Sequence, residues 1–205
     1  MSPPPRGLST PLTAGAGIEV PLICGAMYTC SNPELVAAVS EAGGLGIVQP
    51  ISLTWVHGHD FREGLRLIRR LTAKPIGMNA LIEQSSRAYR RRMETWIDTA
   101  LEEGVRFFVT SLGNPRWVVE RVHAAGGLVY HDVTERTWAL KALDAGVDDY
   151  LLRPLEAQAL AQTMGLGPVE RVFAAVPMSH SYGFTSVVMA GFGLGAPIWG
   201  LVARS

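Results

Sequence analysis

Residues 21–49 read PLICGAMYTCSNPELVAAVSEAGGLGIVQ, and this stretch decides the fold. A short apolar run ends in a Gly-Ala-Met turn at 25–27, and Asn32 followed by Pro33 is a favourable start for a helix. Apolar residues then recur at helical spacing up to a Gly-Gly pair, and 45–48 is a second apolar run. The pattern predicts one strand–helix–strand unit, in which a helix connects two parallel strands.

The small residues that follow the first strand mark a candidate ligand site. A backbone without bulky side chains lets a flat ligand approach closely, and ligands of parallel α/β folds lie at the carboxyl ends of the strands. We therefore expect Gly25, Ala26 and Met27 to contact a cofactor. Met27 has a second interpretation as core filler, because methionine adapts to irregular gaps.

Composition excludes several classes of protein. The 205 residues are enough for one domain with its own core, and 48% hydrophobic with 18% charged residues argues against disorder. A net charge of zero gives no electrostatic footprint for nucleic acid. No uninterrupted apolar run is long enough to span a membrane, and the N-terminus lacks an apolar signal core. Cys24 and Cys30 have no metal-ligand spacing, so we expect free thiols, no metal site and a cytoplasmic location.

The strand–helix unit repeats in kind along the chain. Further strands are predicted at 75–80, 105–110 and 128–133, with amphipathic helices between them, and a sixth is predicted at 149–152. Residues 1–17 are Pro-rich at the start and are expected to form a flexible N-terminal arm. Five βα units in a row indicate an α/β fold with a parallel sheet.

A barrel and an open doubly wound sheet share this pattern. The barrel is favoured because no dinucleotide-binding G-x-G-x-x-G follows the first strand and because candidate functional residues end several strands. A TIM (β/α)8-type barrel typically needs about 250 residues, so the barrel is expected to be incomplete, or to be completed by unrelated C-terminal sequence at 171–176 and 198–202. The alternative, an open sheet with exposed edges, would favour a homodimer.

Polar residues lie at or near the ends of four further predicted strands. Asn79 and Ser111 follow apolar runs, Gln49 ends the second strand, and His131 lies near the end of the fifth. A polar side chain at such a position needs a partner, either in the protein or in a ligand. Ser111 has an alternative role as the cap of the following turn, and His131 has one as a buried histidine paired with Asp132.

Four stretches in this order resemble the nitronate monooxygenases, formerly called 2-nitropropane dioxygenases. They are PLICGAMYTCSNPELVAAVSEAGGLGIV (21–48), KPIGMNALI (74–82), GVRFFVTSLGNP (104–115) and HAAGGLVYHDV (123–133). The resemblance covers about residues 18–148, and flavin-dependent enoyl-ACP reductases share the pattern. It implies a TIM barrel that holds FMN and an oxidoreductase that oxidises alkyl nitronates or nitroalkanes, its small-molecule partners, with O2.

Position by position, the resemblance also implies roles for the candidate residues. Gly25, Ala26 and Met27 would lie against the isoalloxazine ring, and Asn79 would hydrogen-bond its polar edge. Ser111 and His131 would line the cofactor site.

The chain departs from the family pattern after the sixth strand. The family has an A-G-G-H-type turn there, whose histidine is the catalytic base, whereas residues 146–154 read GVDDYLLRP. The two Gly-rich turns that bind the FMN phosphate in the family are also not found in the sequence. The sequence therefore identifies no catalytic residue, and the alternative functions are a non-catalytic truncated barrel remnant and a flavin-dependent enoyl-ACP reductase-like protein.

The tail has a different character. Residues 155–205 resemble a fragment of the adenylate-forming acyl-CoA synthetases, with His180, Ser181, Tyr182 and Gly183 in the matching P-x-S-H-S-Y-G motif. The ATP loop of that family is missing, so an acyl- or nucleotide-binding module is only a further alternative. The predicted organisation is an N-terminal arm at 1–17, an FMN-binding barrel portion at 18–148 and a divergent segment at 149–205.

Overall fold

The computed structural model describes residues 9–82 and 86–152. Strands and helices alternate along this part of the chain. In order they are α1 (Pro11–Ala16), β1 (Ile23–Cys24), α2 (Pro33–Glu41), β2 (Leu45–Val48), a π-helical turn (Ser52–Val56), α3 (Phe61–Leu71), β3 (Ile76–Leu81), α4 (Arg87–Glu102), β4 (Phe107–Ser111), α5 (Arg116–Ala124), β5 (Leu128–Val133), α6 (Arg136–Asp144) and β6 (Asp149–Leu152).

The six strands form one parallel sheet in the order β1-β2-β3-β4-β5-β6. A doubly wound sheet would reverse its strand order and carry helices on both faces. Here the order follows the chain, as it does in a (β/α)8 barrel, so the described strands form a half-barrel. This confirms the predicted incomplete barrel. The strands predicted at 171–176 and 198–202 lie outside the described residues.

Local sequence signals account for where the helices begin and end. The Asn32 side chain accepts a hydrogen bond from the Leu35 N–H at 2.8 Å, and Pro33 occupies the first helical position of α2, as predicted. Strands β2, β5 and β6 have the predicted bounds, while most other elements shift by one or two residues. The helix predicted from residue 57 begins instead at Phe61, capped by Asp60, after the π-helical turn.

Residues 9–17 differ from the flexible arm that we expected over residues 1–17, of which residues 1–8 lie outside the described part of the chain. Residues 11–16 form α1, which begins with a reciprocal capping box between Thr10 and Thr13 and ends at Gly17 in a left-handed conformation. Leu12 and Ala16 pack against the strands on the face away from the other helices. This helix therefore belongs to the core, because its apolar side covers part of the sheet.

Two hydrophobic clusters lie on opposite faces of the sheet. The outer cluster joins strands to helices α2–α6, and includes Val48, Met78, Ala80, Phe108, Val129, Val133, Leu65, Ile97, Val122 and Ala142. The inner cluster contains Ile18, Ile23, Leu45, Ile47, Phe107, Val109 and Tyr130. Because side chains alternate between the two faces of a strand, membership of these clusters fixes the direction in which each strand residue points.

Glycines allow the closest contacts in both layers. A Cβ at Gly46 would lie 2.2 Å from the Val36 carbonyl oxygen, so α2 packs directly on β2. A Cβ at Gly77 would lie 2.5 Å from Ile47 Cδ1, so the inner cluster fills the space above this strand. Within residues 9–82 and 86–152, no helix has the length and apolar character needed to cross a membrane.

Candidate functional site

The Gly-Ala-Met turn is held at the carboxyl end of β1 by two buried serines. The Met27 N–H donates to Ser31 Oγ at 2.9 Å, and Ser52 Oγ donates to the Met27 carbonyl oxygen at 3.4 Å. Ser52 begins the π-helical turn after β2, so the turns after two neighbouring strands are joined. A Cβ added at Gly25 would meet no atom within 4 Å, which leaves open space beside this turn.

Asn79 and Ser111 point to the inner face of the sheet. On β3, Met78 and Ala80 belong to the outer cluster, so Asn79 between them faces inward. On β4, Phe107 and Val109 belong to the inner cluster and Ser111 continues that series. In parallel register Leu81 pairs with Ser111, so both polar residues lie towards the carboxyl ends of adjacent strands.

Gln49 lies beside them. Gln49 is the residue after β2, and it lies two residues beyond Ile47, so it points to the same inner face as Leu45 and Ile47. It is also one residue beyond the register pair Val48–Met78. Its side chain is therefore next to Asn79 across the sheet. The turn at 25–27 is at the carboxyl end of β1, which pairs with β2. Met27 and Asn79 thus share one end of the sheet, as the sequence predicted.

The inner polar residues are unusual in their hydrogen bonding. Ten polar side chains in the described residues are buried, and seven of them hydrogen-bond to other protein groups: Thr13, Ser31, Ser40, Ser52, Thr72, Thr110 and His131. The remaining three are Gln49, Asn79 and Ser111, whose side chains make no hydrogen bond within the described ranges. None of their side-chain nitrogen and oxygen atoms is enclosed by protein, so these three neighbouring polar groups border open space, which indicates a ligand site.

His131 is not brought together with these residues. Val129 and Val133 belong to the outer cluster, so His131 between them faces the helices. Its Nδ1 lies 2.8 Å from Thr110 Oγ1, while that hydroxyl donates to the Tyr130 carbonyl oxygen. Because the Thr110 hydroxyl uses its hydrogen on the carbonyl oxygen, the His131 ring nitrogen is the donor to Thr110. Burial of the ring lowers the pKa of His131. The predicted role of His131 in lining the cofactor site stays a prediction that this geometry does not favour.

The alternation on β5 instead brings Tyr130 and Asp132 to the inner face. Tyr130 packs on Phe107 with ring centroids 4.8 Å apart, and burial, with Asp149 and Asp148 nearby, raises the pKa of Tyr130 to about 12. Asp132 is half-buried one step nearer the carboxyl end. Sequence reasoning missed both, because only the structure shows that the inner series of this strand runs through every second residue from Leu128.

Cys24, the last residue of β1, is buried beside the site. Burial raises the pKa of its thiol. The thiol therefore stays protonated near neutral pH and has little thiolate with which to act as a nucleophile.

Comparison with known proteins gives a family for this arrangement. A family model described as nitronate monooxygenase matches residues 9–157. A nitronate monooxygenase from Pseudomonas aeruginosa is 38% identical over 82 residues, which is 40% of this chain and 22% of that protein. A (3aS,4S,5R,7aS)-5-hydroxy-7a-methyl-1-oxo-octahydro-1H-indene-4-carboxyl-CoA dehydrogenase from Rhodococcus jostii is 27% identical over 146 residues, or 71% of this chain and 39% of that protein.

Among solved structures, FabK from Thermotoga maritima has a TM-score of 0.67 at 25% identity, covering 94% of this chain and 60% of that chain. A nitroalkane oxidase from Streptomyces ansochromogenes has a TM-score of 0.59 at 22% identity, covering 71% of this chain and 48% of that one, which bears on the fold alone.

The extent of these matches has two consequences. The chain spans about two fifths of the length of the Rhodococcus jostii relative, so it corresponds to one part of such a protein. The family match ends at residue 157, and the acyl-CoA synthetase-like tail, with His180 to Gly183, stays a prediction outside the described residues. The match covers more than half of the chain and includes every strand of the half-barrel. The chain therefore belongs to the nitronate monooxygenase family.

Proposed function

We propose that this chain is the flavin-binding portion of an oxidoreductase, with FMN at the carboxyl ends of β1–β4. The observation that carries the proposal is the group of three buried polar side chains without protein partners: Gln49, Asn79 and Ser111. Gln49 follows β2, the strand that pairs with β1, and open space borders Gly25 after β1. A flavin ring needs a flat surface of small groups and a few hydrogen-bonding groups at its polar edge, and the residues present fit both needs.

The same residues suggest how the ring would be held. The turn at 25–27 would lie against its flat face, and Gly25 would let it approach the backbone closely. The Asn79 and Gln49 amides can each donate and accept, which suits the mixed donors and acceptors of the isoalloxazine edge. Ser111 would add one hydroxyl. When bound, the flavin supplies two-electron oxidation chemistry.

The substrate that we propose is an alkyl nitronate or the parent nitroalkane, with O2 as the final oxidant. Family membership and the partial similarity to the Pseudomonas aeruginosa nitronate monooxygenase support it. A second candidate is oxidation of a carboxyl-CoA thioester, because the dehydrogenase of Rhodococcus jostii aligns with a larger share of this chain, 71% against 40%. The two classes share a C–H bond next to an electron-withdrawing group.

Three other functions remain open alternatives. One is an enoyl-ACP reductase-like protein, which predicts reduction of an enoyl thioester at the expense of a reduced nicotinamide. Another is a non-catalytic remnant, which predicts weak FMN binding and no turnover. The third is the acyl- or nucleotide-binding module suggested by the tail, which predicts protection of residues 155–205 from proteolysis by ATP.

FMN titration of the purified chain tests the proposal. We expect visible flavin absorption and quenching of flavin fluorescence on binding. Asn79→Ala should weaken FMN binding by about tenfold or more, because a lost hydrogen bond in a buried site costs about 1.5 kcal/mol. Asn114→Ala is the control, because this exposed amide only accepts a hydrogen bond from the Arg116 N–H at 3.0 Å.

Two results would contradict the proposal. One is a colourless protein that takes up no added FMN. The other is equal weakening of FMN binding by Asn79→Ala and Asn114→Ala, since the effect would then be one of overall stability. Oxidation of ethyl nitronate, followed by oxygen consumption, and oxidation of a CoA thioester, followed by bleaching of the flavin, separate the two candidate substrate classes.

A further inference from the structure

Oxidation of a carbon acid needs a group that accepts the proton from its carbon. In the family pattern a histidine after the sixth strand has this role, and the sequence at 146–154, GVDDYLLRP, has no histidine there. A replacement must be titratable, must lie on the inner face and must be near the carboxyl ends of the strands. Only three residues of β5 and β6 that can ionise point inward: Tyr130, Asp132 and Asp149.

Asp132 meets all three requirements. The register pair Thr110–His131 lies on the outer side, so the next residues along, Ser111 and Asp132, are neighbours on the inner side of adjacent strands. Adjacent strands are about 4.8 Å apart, so the two side chains extend from neighbouring positions on the inner face. Asp132 is half-buried. Its register partner on the neighbouring strand β6 is Leu151, which packs on the inner cluster.

The other two inward residues suit the role less well. The phenol of Tyr130, with a pKa of about 12, stays protonated near neutral pH and cannot accept a proton. Asp149 is the first residue of β6 and is exposed. Because it pairs with Tyr130 and not with Asp132, it lies two residues further from the carboxyl ends of the strands than Asp132 does. His131 faces the helices and is held by Thr110.

We propose that Asp132 is the catalytic residue that accepts the proton from the substrate carbon, an inference that rests on the proposed function. The C–H bond breaks, the proton goes to a carboxylate oxygen of Asp132, and the electron pair stays on the carbon, delocalised into the adjacent nitro or carbonyl group. Carboxylates are established general bases, and a positioned base contributes about 10²–10⁴ in rate. A bound flavin would supply the oxidant for the carbanion so formed.

A comparison of two probes tests this role. Nitroethane still carries the proton, whereas ethyl nitronate has already lost it. In the FMN-loaded protein, Asp132→Asn should lower the rate with nitroethane about 100-fold or more and change the rate with ethyl nitronate less than about threefold. Asp149→Asn, the control, should change neither rate, since that carboxylate is exposed and in a deeper layer. A merely structural role would reduce both rates together.

Two measurements that do not depend on turnover complete the test. FMN affinity should be the same in wild type and Asp132→Asn. Under nitrogen, wild-type protein should accelerate exchange of the nitroethane α-hydrogen with D2O, measured by NMR, and Asp132→Asn should not. Equal loss of both probe rates, or equal exchange by wild type and variant, overturns the role of Asp132. Failure of wild-type protein to bind FMN overturns the proposed function instead.

Discussion

Replacing Asn79 by leucine should make the flavin-free protein more stable and should abolish FMN binding. Asn79 is only 8% exposed, and its amide makes no hydrogen bond to any described residue. Burial of an amide without a partner costs about 1–3 kcal/mol. The polar atoms of Asn79 border open space, so the lower part of this range applies, and leucine fills a similar volume without that cost. We therefore expect the free energy of unfolding to rise by about 1–2 kcal/mol, which for a chain of this size is roughly 2–8 °C in melting temperature.

FMN should reverse the order of stabilities. A ligand present at 100 times its Kd stabilises the folded protein by about 2.7 kcal/mol. Wild type gains this and Asn79→Leu does not, so with FMN the wild type should be the more stable by about 1 kcal/mol. Urea denaturation of both proteins, each with and without saturating FMN, measures all four values.

A satisfied buried hydroxyl provides the matched control. Ser40 is fully buried, and its Oγ donates to the Pro75 carbonyl oxygen at 2.8 Å and accepts from the Gly46 N–H at 3.2 Å. Ser40→Ala should destabilise the protein by about 1–3 kcal/mol, because it leaves both backbone groups unpaired. The reasoning fails if Asn79→Leu destabilises the flavin-free protein as Ser40→Ala does, or if FMN stabilises Asn79→Leu as much as wild type.

Three further predictions concern single sites. Gly25→Val should leave the stability of the flavin-free protein within about 1 kcal/mol, because a Cβ there meets no atom, but it should weaken FMN binding at least tenfold in a titration. Gly46→Ala should destabilise the protein by about 1–3 kcal/mol in urea, because its Cβ would overlap the Val36 carbonyl oxygen; unchanged stability would contradict the observed packing of α2 on β2. His131 has a lowered pKa in the folded protein, so the unfolded chain binds the proton more readily and stability is lost as the pH falls from about 6.5 through the folded pKa. His131→Gln should flatten that part of the stability–pH curve, and an unchanged slope would show that another group causes it.

Much of the fold was predictable because its signals are local. The Asn32-Pro33 helix start, the glycines after helices and the apolar runs of β2 and β5 each specify their element through nearby residues. The helix at 11–16 was not predicted because the contacts that stabilise it are made with residues distant in the sequence. It is six residues long, and it is ordered by packing of Leu12 and Ala16 on the inner cluster rather than by its own propensity.

The candidate site was predictable in position but not in every side chain. Residues 128–133 read LVYHDV, in which three adjacent apolar residues hide the two-residue alternation. A change of one residue in phase moves every side chain of a strand to the other face, so His131 or Asp132 could face the site on the sequence alone. Only the clusters on the two sides of the sheet decide the phase, and they bring Asp132 inward.

The succession of βα units, the ends of most helices and the end of the sheet at which the candidate residues lie could be predicted from the amino-acid sequence alone, since each depends on neighbouring residues and on the common direction of parallel strands. Tertiary structure alone decided which polar side chains share the inner face, which of them lack a protein partner and that α1 packs against that face. The physical reason is that burial and hydrogen bonding are properties of residues distant in the chain. Gln49, Asn79 and Ser111 are some 30 positions apart in sequence, and only the register of the strands makes them neighbours.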